Sequence, residues 1–299
     1  MIEVERLTKH FGPVRAIDGL TFTVQPGHVT GFLGPNGAGK TTTMKIVLGL
    51  VAPTGGRALV GGQRYDQLVR PLRQVGSLLD ATALHGGRTA QAHLVAIARS
   101  NGIARSRVTE VLRLTGLEPV ARRRVGGYSL GMKQRLGIAA ALLGDPPILM
   151  FDEPVNGLDP EGIAWARGFF RQLAAEGRTV LVSSHLMSEM AQTADRLIII
   201  GRGRLIADTR MTDLLDAQRD VLLRSPRAAE FARLLMAQGA VVTPGPGPDL
   251  IVTGLTAETI GDLAAAHGIA VHALIPRQAS LEDVYLDLTG EATEFRGAA

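Results

Sequence analysis

Cysteine is absent from the sequence, and this absence excludes disulfide bonds, thiolate metal sites and cysteine nucleophiles together. Aromatic residues are scarce, at 4%, but 45% of the 299 residues are hydrophobic. A chain of this length and apolar content can bury a large core, which excludes a disordered or fibrous protein. At roughly 150 residues per domain, and with 36 glycines for tight turns, the composition favours an α/β protein of two domains.

Positive charge is present but is not concentrated in any segment. Only four residues are lysine, the net charge is +4, and the densest basic run is the Arg-Arg-Arg at 122–124. A run of three basic residues usually lies on a solvated face, and an arm that binds nucleic acid would be denser. We therefore expect no nucleic acid partner.

Long hydrophobic runs are also missing. No apolar stretch reaches the roughly 18 residues that a transmembrane helix needs, because the best candidate, residues 136–150, is interrupted by Asp-Pro-Pro at 145–147. The N-terminal MIEVERLTKH is acidic where a secretory signal would be basic and then apolar. We expect a cytoplasmic chain that would act at a membrane only by docking, at its inner face, onto an embedded partner.

Strand and helix patterns alternate along the first part of the chain, which we delimit as a domain at 1–215. Residues 89–144 have the spacing of amphipathic helices. Short apolar segments typical of buried strands lie at 29–33, 148–151, 179–183 and 197–200. The order predicts a mostly parallel sheet covered on both faces, with a helical insertion at about 89–144.

The N-terminal residues, within 2–33, show the period-2 alternation of short strands. The alternation predicts two faces, Ile2, Val4 and Arg6 on one and Glu3, Glu5 and Leu7 on the other.

Past residue 215 the pattern restarts as a smaller domain, 216–299. Its strand and helix signals follow the order β-α-β-β-α-β, which is the ferredoxin-like arrangement. The last strand is predicted at 270–275, and a short closing helix at 281–288.

The sequence GPNGAGKT at 34–41 matches the phosphate-binding loop pattern G-x-x-x-x-G-K-[ST], after a predicted strand and before a predicted helix. Glycines let successive backbone N–H groups approach a triphosphate, and the helix N-terminus adds a favourable dipole. Lys40 supplies an ammonium to the β and γ oxygens, and Thr41 offers a hydroxyl to Mg²⁺. The predicted nucleotide-binding residues here are Gly34, Pro35, Asn36, Gly37, Ala38, Gly39, Lys40, Thr41 and Thr42.

A second acidic motif narrows the class of enzyme. The apolar strand 148–151 ends in Asp152 and Glu153. Asp152 at the strand end can hold Mg²⁺, and Glu153 is placed to act as general base on the attacking water. A phosphate loop alone does not separate kinases, GTPases, helicases and transport ATPases, but the two motifs together predict a protein that uses Mg²⁺ and hydrolyses a nucleoside triphosphate.

Several further motifs resemble those of one family, the ATP-binding subunits of ABC transporters, over residues 1–215. The SLGMKQR at 129–135 resembles the family signature and precedes Asp152 by 23 residues. The NGLDP at 156–160 resembles the family's D-loop, and His185 follows Asp152 by 33 residues, like the switch histidine. The resemblance implies a phosphate-loop NTPase core with an antiparallel β subdomain and a helical subdomain.

The resemblance also implies roles for residues outside the phosphate loop. Phe11 would stack on adenine, and His185 would contact the γ-phosphate. Ser129, a plausible helix N-cap, and Gly131 would close over the nucleotide of a second copy, so that ATP joins a head-to-tail homodimer. Asp159 would connect the two sites.

Two departures from the family pattern bear on these roles. Tyr128, Leu130 and Met132 replace the usual residues of the signature, but Ser129 and the helix start remain, so we expect the signature to work. Asp80 stands where the family usually has a glutamine near Mg²⁺ that couples to the membrane subunit. We assign Asp80, with Thr41 and Asp152, to the metal side of the site.

The signature and the segment 279–285 resemble the subgroup that drives drug and antibiotic export of the daunorubicin- and bacitracin-resistance type. This resemblance implies an ATPase that powers a separate membrane permease. One alternative is a soluble ABC-type ATPase acting on ribosomes or DNA, although such proteins typically carry two cassettes or a long coiled coil. Another is a non-catalytic module that binds nucleotide as a switch, which would lack the base or the histidine.

Overall fold

Strands and helices alternate along the chain in the order expected for an α/β protein. The computed structural model describes residues 1–216 and 219–278. The elements of the first part are β1 (Ile2–Phe11), β2 (Val14–Val24), β3 (Val29–Leu33), α1 (Lys40–Val47), β4 (Gly55–Val60), β5 (Val75–Leu78), α2 (Ala90–Ser100), α3 (Arg105–Leu114), α4 (Leu130–Ala141), β6 (Ile148–Phe151), α5 (Pro160–Ala175), β7 (Thr179–Ser184), α6 (Met187–Ala191), β8 (Arg196–Gly201) and β9 (Arg204–Arg210).

A six-stranded sheet carries the predicted motifs. Its strand order is β5-β6-β7-β3-β8-β9, and the first five strands are parallel to one another. Every residue of β3, β6 and β7 is buried, as expected for parallel strands covered on both faces. Because neighbouring parallel strands end at the same edge, the segments after β3, β6 and β7 meet there. The predicted α/β core is confirmed.

A separate antiparallel sheet, in the order β2-β1-β4, confirms the N-terminal β subdomain. The predicted alternation in β1 was wrong beyond Val4, since Leu7 is fully buried and Arg6 is exposed. The register shifts between Val4 and Leu7, and Arg6 has a left-handed φ of 45°. This bulge inserts one residue and reverses the phase, so that Leu7 reaches the core.

The helical insertion contains α2, α3 and α4. Thr89 and Ser129 cap α2 and α4, because their side-chain oxygens accept hydrogen bonds from backbone N–H groups three residues later. Helix α5, which the sequence patterns above did not single out, packs on the central sheet through Phe170, whose ring stacks on Phe151 at 4.8 Å between centroids.

A second unit begins after Thr209, just before the boundary at 215 that the sequence predicts. Its four strands form an antiparallel sheet in the order β11-β12-β10-β13. The elements of this unit are α7 (Met211–Asp216), β10 (Arg219–Arg224), α8 (Ala228–Ala237), β11 (Val241–Pro244), β12 (Leu250–Thr253), α9 (Ala257–Ala266) and β13 (Ala273–Gln278). After α7, the order is the predicted ferredoxin-like β-α-β-β-α-β.

One predicted strand boundary in this unit was wrong. The last strand starts at Ala273, three residues later than predicted, because the carbonyl of Ala270 accepts a hydrogen bond from the Ser225 hydroxyl instead of joining the ladder. The predicted closing helix at 281–288 lies outside the described residues. Within the described ranges, the structure contains no helix that is long and apolar enough to cross a bilayer.

Thr30 in β3 gives a test of how the central sheet is stabilised. It is 1% exposed, and its Oγ1 has no hydrogen-bond partner among the residues that the structure describes. Thr30→Val should raise the free energy of unfolding by about 1 kcal/mol, because a buried hydroxyl without a partner is costly. Urea unfolding followed by the fluorescence of the single tryptophan, Trp165, measures the change.

Thr115→Val is the matched control for this prediction. Thr115 is also fully buried, but its hydroxyl donates to the carbonyl of Val111 at 2.9 Å. Its loss should lower the free energy of unfolding by about 1 kcal/mol. If the free energy of unfolding changed in the same direction in both variants, this account of the central sheet would be contradicted.

Candidate nucleotide-binding site

The phosphate loop lies between the end of β3 and the start of α1. No side chain caps α1, and Gly39 precedes it in a left-handed conformation with φ 103°. A Cβ on Gly39 would lie 2.8 Å from the carbonyl oxygen of Ala16, so only glycine fits. The first turn of α1 therefore presents its backbone N–H groups and the positive end of the helix dipole to an anion.

Lys40 is held beneath this loop. Its Nζ donates to the carbonyl of Gly34 at 2.6 Å and lies 3.6 Å from Oε1 of Glu153. Burial lowers the pKa of Lys40, while the carboxylates of Glu153 and Asp152 act in the opposite direction. The ammonium is thus kept inside the site, where nucleotide phosphates would become its partners.

Thr41 and Asp152 meet from different elements. The Thr41 hydroxyl donates to Oδ2 of Asp152 at 2.6 Å, and Asp152 is 8% exposed. A hydroxyl and a carboxylate are hard oxygen donors of the kind that Mg²⁺ takes together with phosphate oxygens. Among the described residues, no group of three or more His, Asp or Glu side chains is arranged so that it could hold a metal ion by itself. This donor set fits Mg²⁺ shared with a nucleotide rather than an all-protein metal cage.

Glu153 and His185 form the polar pair of the site. The Nδ1 of His185 lies 2.9 Å from Oε2 of Glu153, so the histidine that follows β7 contacts the carboxylate that follows β6. Glu153 also faces Lys40 through its other oxygen. The side chain is 21% exposed, which leaves it open to a water molecule that it could deprotonate.

These groups surround one cleft of about 220 Å³. Its lining combines the phosphate loop with Glu153 and Ala16, and Ala16 had no sequence signal of its own. The lining residues are Ala16, Pro35, Asn36, Gly37, Ala38, Gly39, Lys40, Thr41, Thr42 and Glu153. Three further predicted residues contact this lining: Gly34 contacts Lys40, Asp152 contacts Thr41, and His185 contacts Glu153. The structure thus brings together the predicted phosphate-binding loop, the predicted base Glu153, and two of the three predicted metal-side residues, Thr41 and Asp152.

The signature residues lie elsewhere in the same chain. The exposed Ser129 caps α4, accepting from the N–H of Met132 at 3.2 Å. Gly131 packs on the D-loop, where a Cβ would come within 3.2 Å of the carbonyl oxygen of Gly157. Asp159 caps α5, accepting from the N–H of Gly162 at 2.9 Å. None of the three predicted residues is among those lining the cleft.

Phe11 and Asp80 are also outside the cleft lining. The ring of Phe11 is 49% exposed, with Nζ of Lys9 4.8 Å from its centroid. Asp80 is exposed, and its Oδ1 accepts from the hydroxyl and the N–H of Thr82. These hydrogen bonds lower the pKa of the Asp80 carboxyl. Base stacking by Phe11 and a metal role of Asp80 stay predictions.

Two residues that contact Glu153 had no sequence-based assignment. Ser183 donates to Asp152 and accepts from the backbone N–H of Glu153 at 2.9 Å. Gln134 donates through its side-chain amide to the carbonyl of Glu153 at 3.3 Å. Both contacts join segments that are distant in sequence, so they could not be read from spacing alone.

Known proteins are similar to this chain over nearly its whole length. Residues 17–156 match the family described as ABC transporter, and residues 219–282 match a domain of unknown function (DUF8746). The bacitracin transport ATP-binding protein BcrA of Bacillus licheniformis is 36% identical over 301 residues, covering 98% of each chain. The Nod factor export ATP-binding protein I of Burkholderia pseudomallei (strain 1710b) is 37% identical over 299 residues, covering 97% of each.

Solved structures agree with the sequence matches. A dimeric bacterial ABC transporter cassette, MJ0796, superposes with a TM-score of 0.64 at 25% identity, covering 71% of this chain and 99% of that one. The expected P-loop NTPase fold is therefore confirmed, and so is the resemblance to bacitracin-type transport proteins. The chain belongs to the ABC transporter family, as one of its ATP-hydrolysing, ATP-binding proteins.

Proposed function

We propose that this chain is the ATPase subunit of an exporter for a drug, antibiotic or other hydrophobic compound, and that it drives a separate membrane permease. One observation carries the proposal: Glu153 contacts both Lys40 and His185 at the cleft that the phosphate loop lines. The export direction is supported by the names of the relatives, which transport bacitracin and export Nod factor.

In the proposed reaction, Glu153 takes a proton from the water that attacks the γ-phosphorus. A bond forms from that oxygen to phosphorus, and the bond to the β–γ bridging oxygen breaks, giving ADP and phosphate. Lys40 and the loop N–H groups hold the phosphates, and His185, oriented by Glu153, contacts the γ-phosphate. Thr41 and Asp152 would hold Mg²⁺, which neutralises charge on the phosphates when bound. We assign Asp80 to the same side of the site.

The cleft of a single chain does not include Ser129, Gly131 or Asp159. We infer that two copies face each other head to tail, so that the α4 start of one copy closes over the nucleotide of the other. The dimeric state of the similar MJ0796 cassette supports this arrangement. The subunit would sit at the cytoplasmic face of the membrane, bound to its permease, without a nucleic acid partner.

The rival functions have less support. A non-catalytic switch would lack a general base, whereas Glu153 and His185 are both present and in contact. A soluble ABC-type ATPase acting on ribosomes or DNA is disfavoured by similarity to transport proteins that extends through the C-terminal unit. Co-purification of the chain with its permease in detergent tests the transport assignment, and co-purification with ribosomes or DNA would contradict it.

Replacing the general base tests the catalytic assignment. Glu153→Gln removes proton acceptance but keeps the shape of the side chain, so we expect ATP hydrolysis to fall by at least about 100-fold. ATP should still bind, and the variant should elute as an ATP-dependent dimer in size-exclusion chromatography. The matched control is Glu176→Gln, at an exposed residue paired with Arg178, which should hydrolyse ATP at the parental rate. Parental hydrolysis by Glu153→Gln would show that another group is the base.

Two helix caps in the helical insertion form a matched pair that tests the role of Ser129. Ser129→Ala and Thr89→Ala each remove one N-cap, with an expected stability loss of about 1 kcal/mol. Only Ser129 is assigned to the partner's phosphate, and a hydrogen bond to a charged group is worth about 1.5–3 kcal/mol. In the Glu153→Gln background, Ser129→Ala should therefore raise the ATP concentration needed for dimerisation by about 10- to 100-fold.

In the same background, Thr89→Ala should leave the ATP concentration needed for dimerisation unchanged. Equal shifts in both variants would mean that Ser129 acts only through the stability of its helix, which would contradict the shared site.

A further inference from the structure

The backbone of Glu153 adopts an unusual conformation for a residue with a side chain. Its φ is 48°, in the left-handed region. Such conformations persist only where the surrounding contacts hold them, and they cluster at functional sites. The direction of the Glu153 carboxylate depends on this backbone conformation, because the φ angle determines the direction in which the side chain points away from the end of β6.

Ser183 holds this backbone from one side. The residue is fully buried at the end of β7. Its Oγ accepts from the N–H of Glu153 at 2.9 Å and donates to Oδ1 of Asp152. A hydroxyl has one proton to donate and lone pairs to accept. One side chain therefore fixes both the Asp152 carboxylate and the peptide that follows it.

Gln134 holds the same residue from the other side. It is 6% exposed on α4, and its Nε2 donates to the carbonyl of Glu153 and to that of Asn156, each at 3.3 Å. Since Ser129 caps the start of this helix, the amide connects the helix that begins at Ser129 to the peptide of Glu153 in the same chain.

We propose that Ser183 and Gln134 are positioning residues for the hydrolysis reaction. Ser183 on β7 binds the N–H of Glu153, and Gln134 on α4 binds its carbonyl. Together they fix the backbone of Glu153 and so orient its carboxylate toward the attacking water. Ser183 has a second task, which is to orient Asp152 toward Thr41 and the Mg²⁺ position. The inference rests on the proposed function, in which Glu153 is the general base.

The test compares Ser183→Ala and Gln134→Leu in the full chain, by steady-state hydrolysis of ATP at varied ATP and Mg²⁺. Both variants should lower kcat on the order of 10- to 100-fold, because a small displacement of a reacting group has effects of this size. KM for ATP should change by less than about threefold, since the phosphate loop is untouched. Ser183→Ala should also raise the Mg²⁺ concentration at half-maximal rate, and Gln134→Leu should not.

Controls separate positioning from a loss of folding. Ser183→Thr retains the hydroxyl and should recover at least part of kcat, and the unfolding midpoint of each variant checks its stability. Thr30→Val removes another buried hydroxyl, on the neighbouring strand β3, and should keep the parental kcat. If Ser183→Ala does not fold, the kcat and KM of Gln134→Leu decide the proposal alone.

Three results would overturn the inference. These are a parental kcat in both variants, a rise in KM without a fall in kcat, or a further large loss when Gln134→Leu is combined with Glu153→Gln. The last would show that Gln134 acts independently of the base. Parental hydrolysis by Glu153→Gln alone would instead refute the proposed function, so the two failures are distinguishable.

Discussion

The site depends on the parallel pairing of three buried strands. Because β6, β7 and β3 run in the same direction and lie side by side, their carboxyl ends meet at one edge of the sheet. That edge brings the phosphate loop, Glu153 and His185 within contact distance, although 119 residues separate Gly34 from Glu153. The bulge at Arg6 brings Leu7 into the core that also holds residues of this sheet, and the stacking of Phe170 on Phe151 packs a helix on it.

The sequence predicted the parts of the site that are continuous in the chain. The phosphate loop and the carboxylates that end β6 have local patterns, because their chemistry requires particular residues at fixed spacing. The contacts of Ser183 and Gln134 with Glu153 depend on which strand and helix become neighbours, and no local pattern encodes that. In β1, a one-residue bulge reversed the predicted faces at Leu7. The start of helix α5 does have a local signal, since Asp159 and Pro160 form a typical helix start.

The structure gives a physical reason why the altered signature is tolerated. Leu130 stands where the family has a small residue, and its Cδ2 lies 2.3 Å from the position that a Cβ on Gly157 would occupy. The larger side chain is therefore accommodated by a glycine in the D-loop. Met132 contributes a backbone N–H to the Ser129 cap, so the change of its side chain leaves the helix start intact.

The central claim is that two copies share each nucleotide, with the Ser129 helix start of one copy closing over the phosphates held by the other. The most direct measurement is an experimental structure of the Glu153→Gln protein with Mg·ATP. The account predicts a head-to-tail dimer in which the Ser129 hydroxyl lies about 3 Å, a hydrogen-bond distance, from the terminal phosphate bound by the partner. A monomer with bound nucleotide, or a dimer whose Ser129 helix starts lie far from any phosphate, would contradict it.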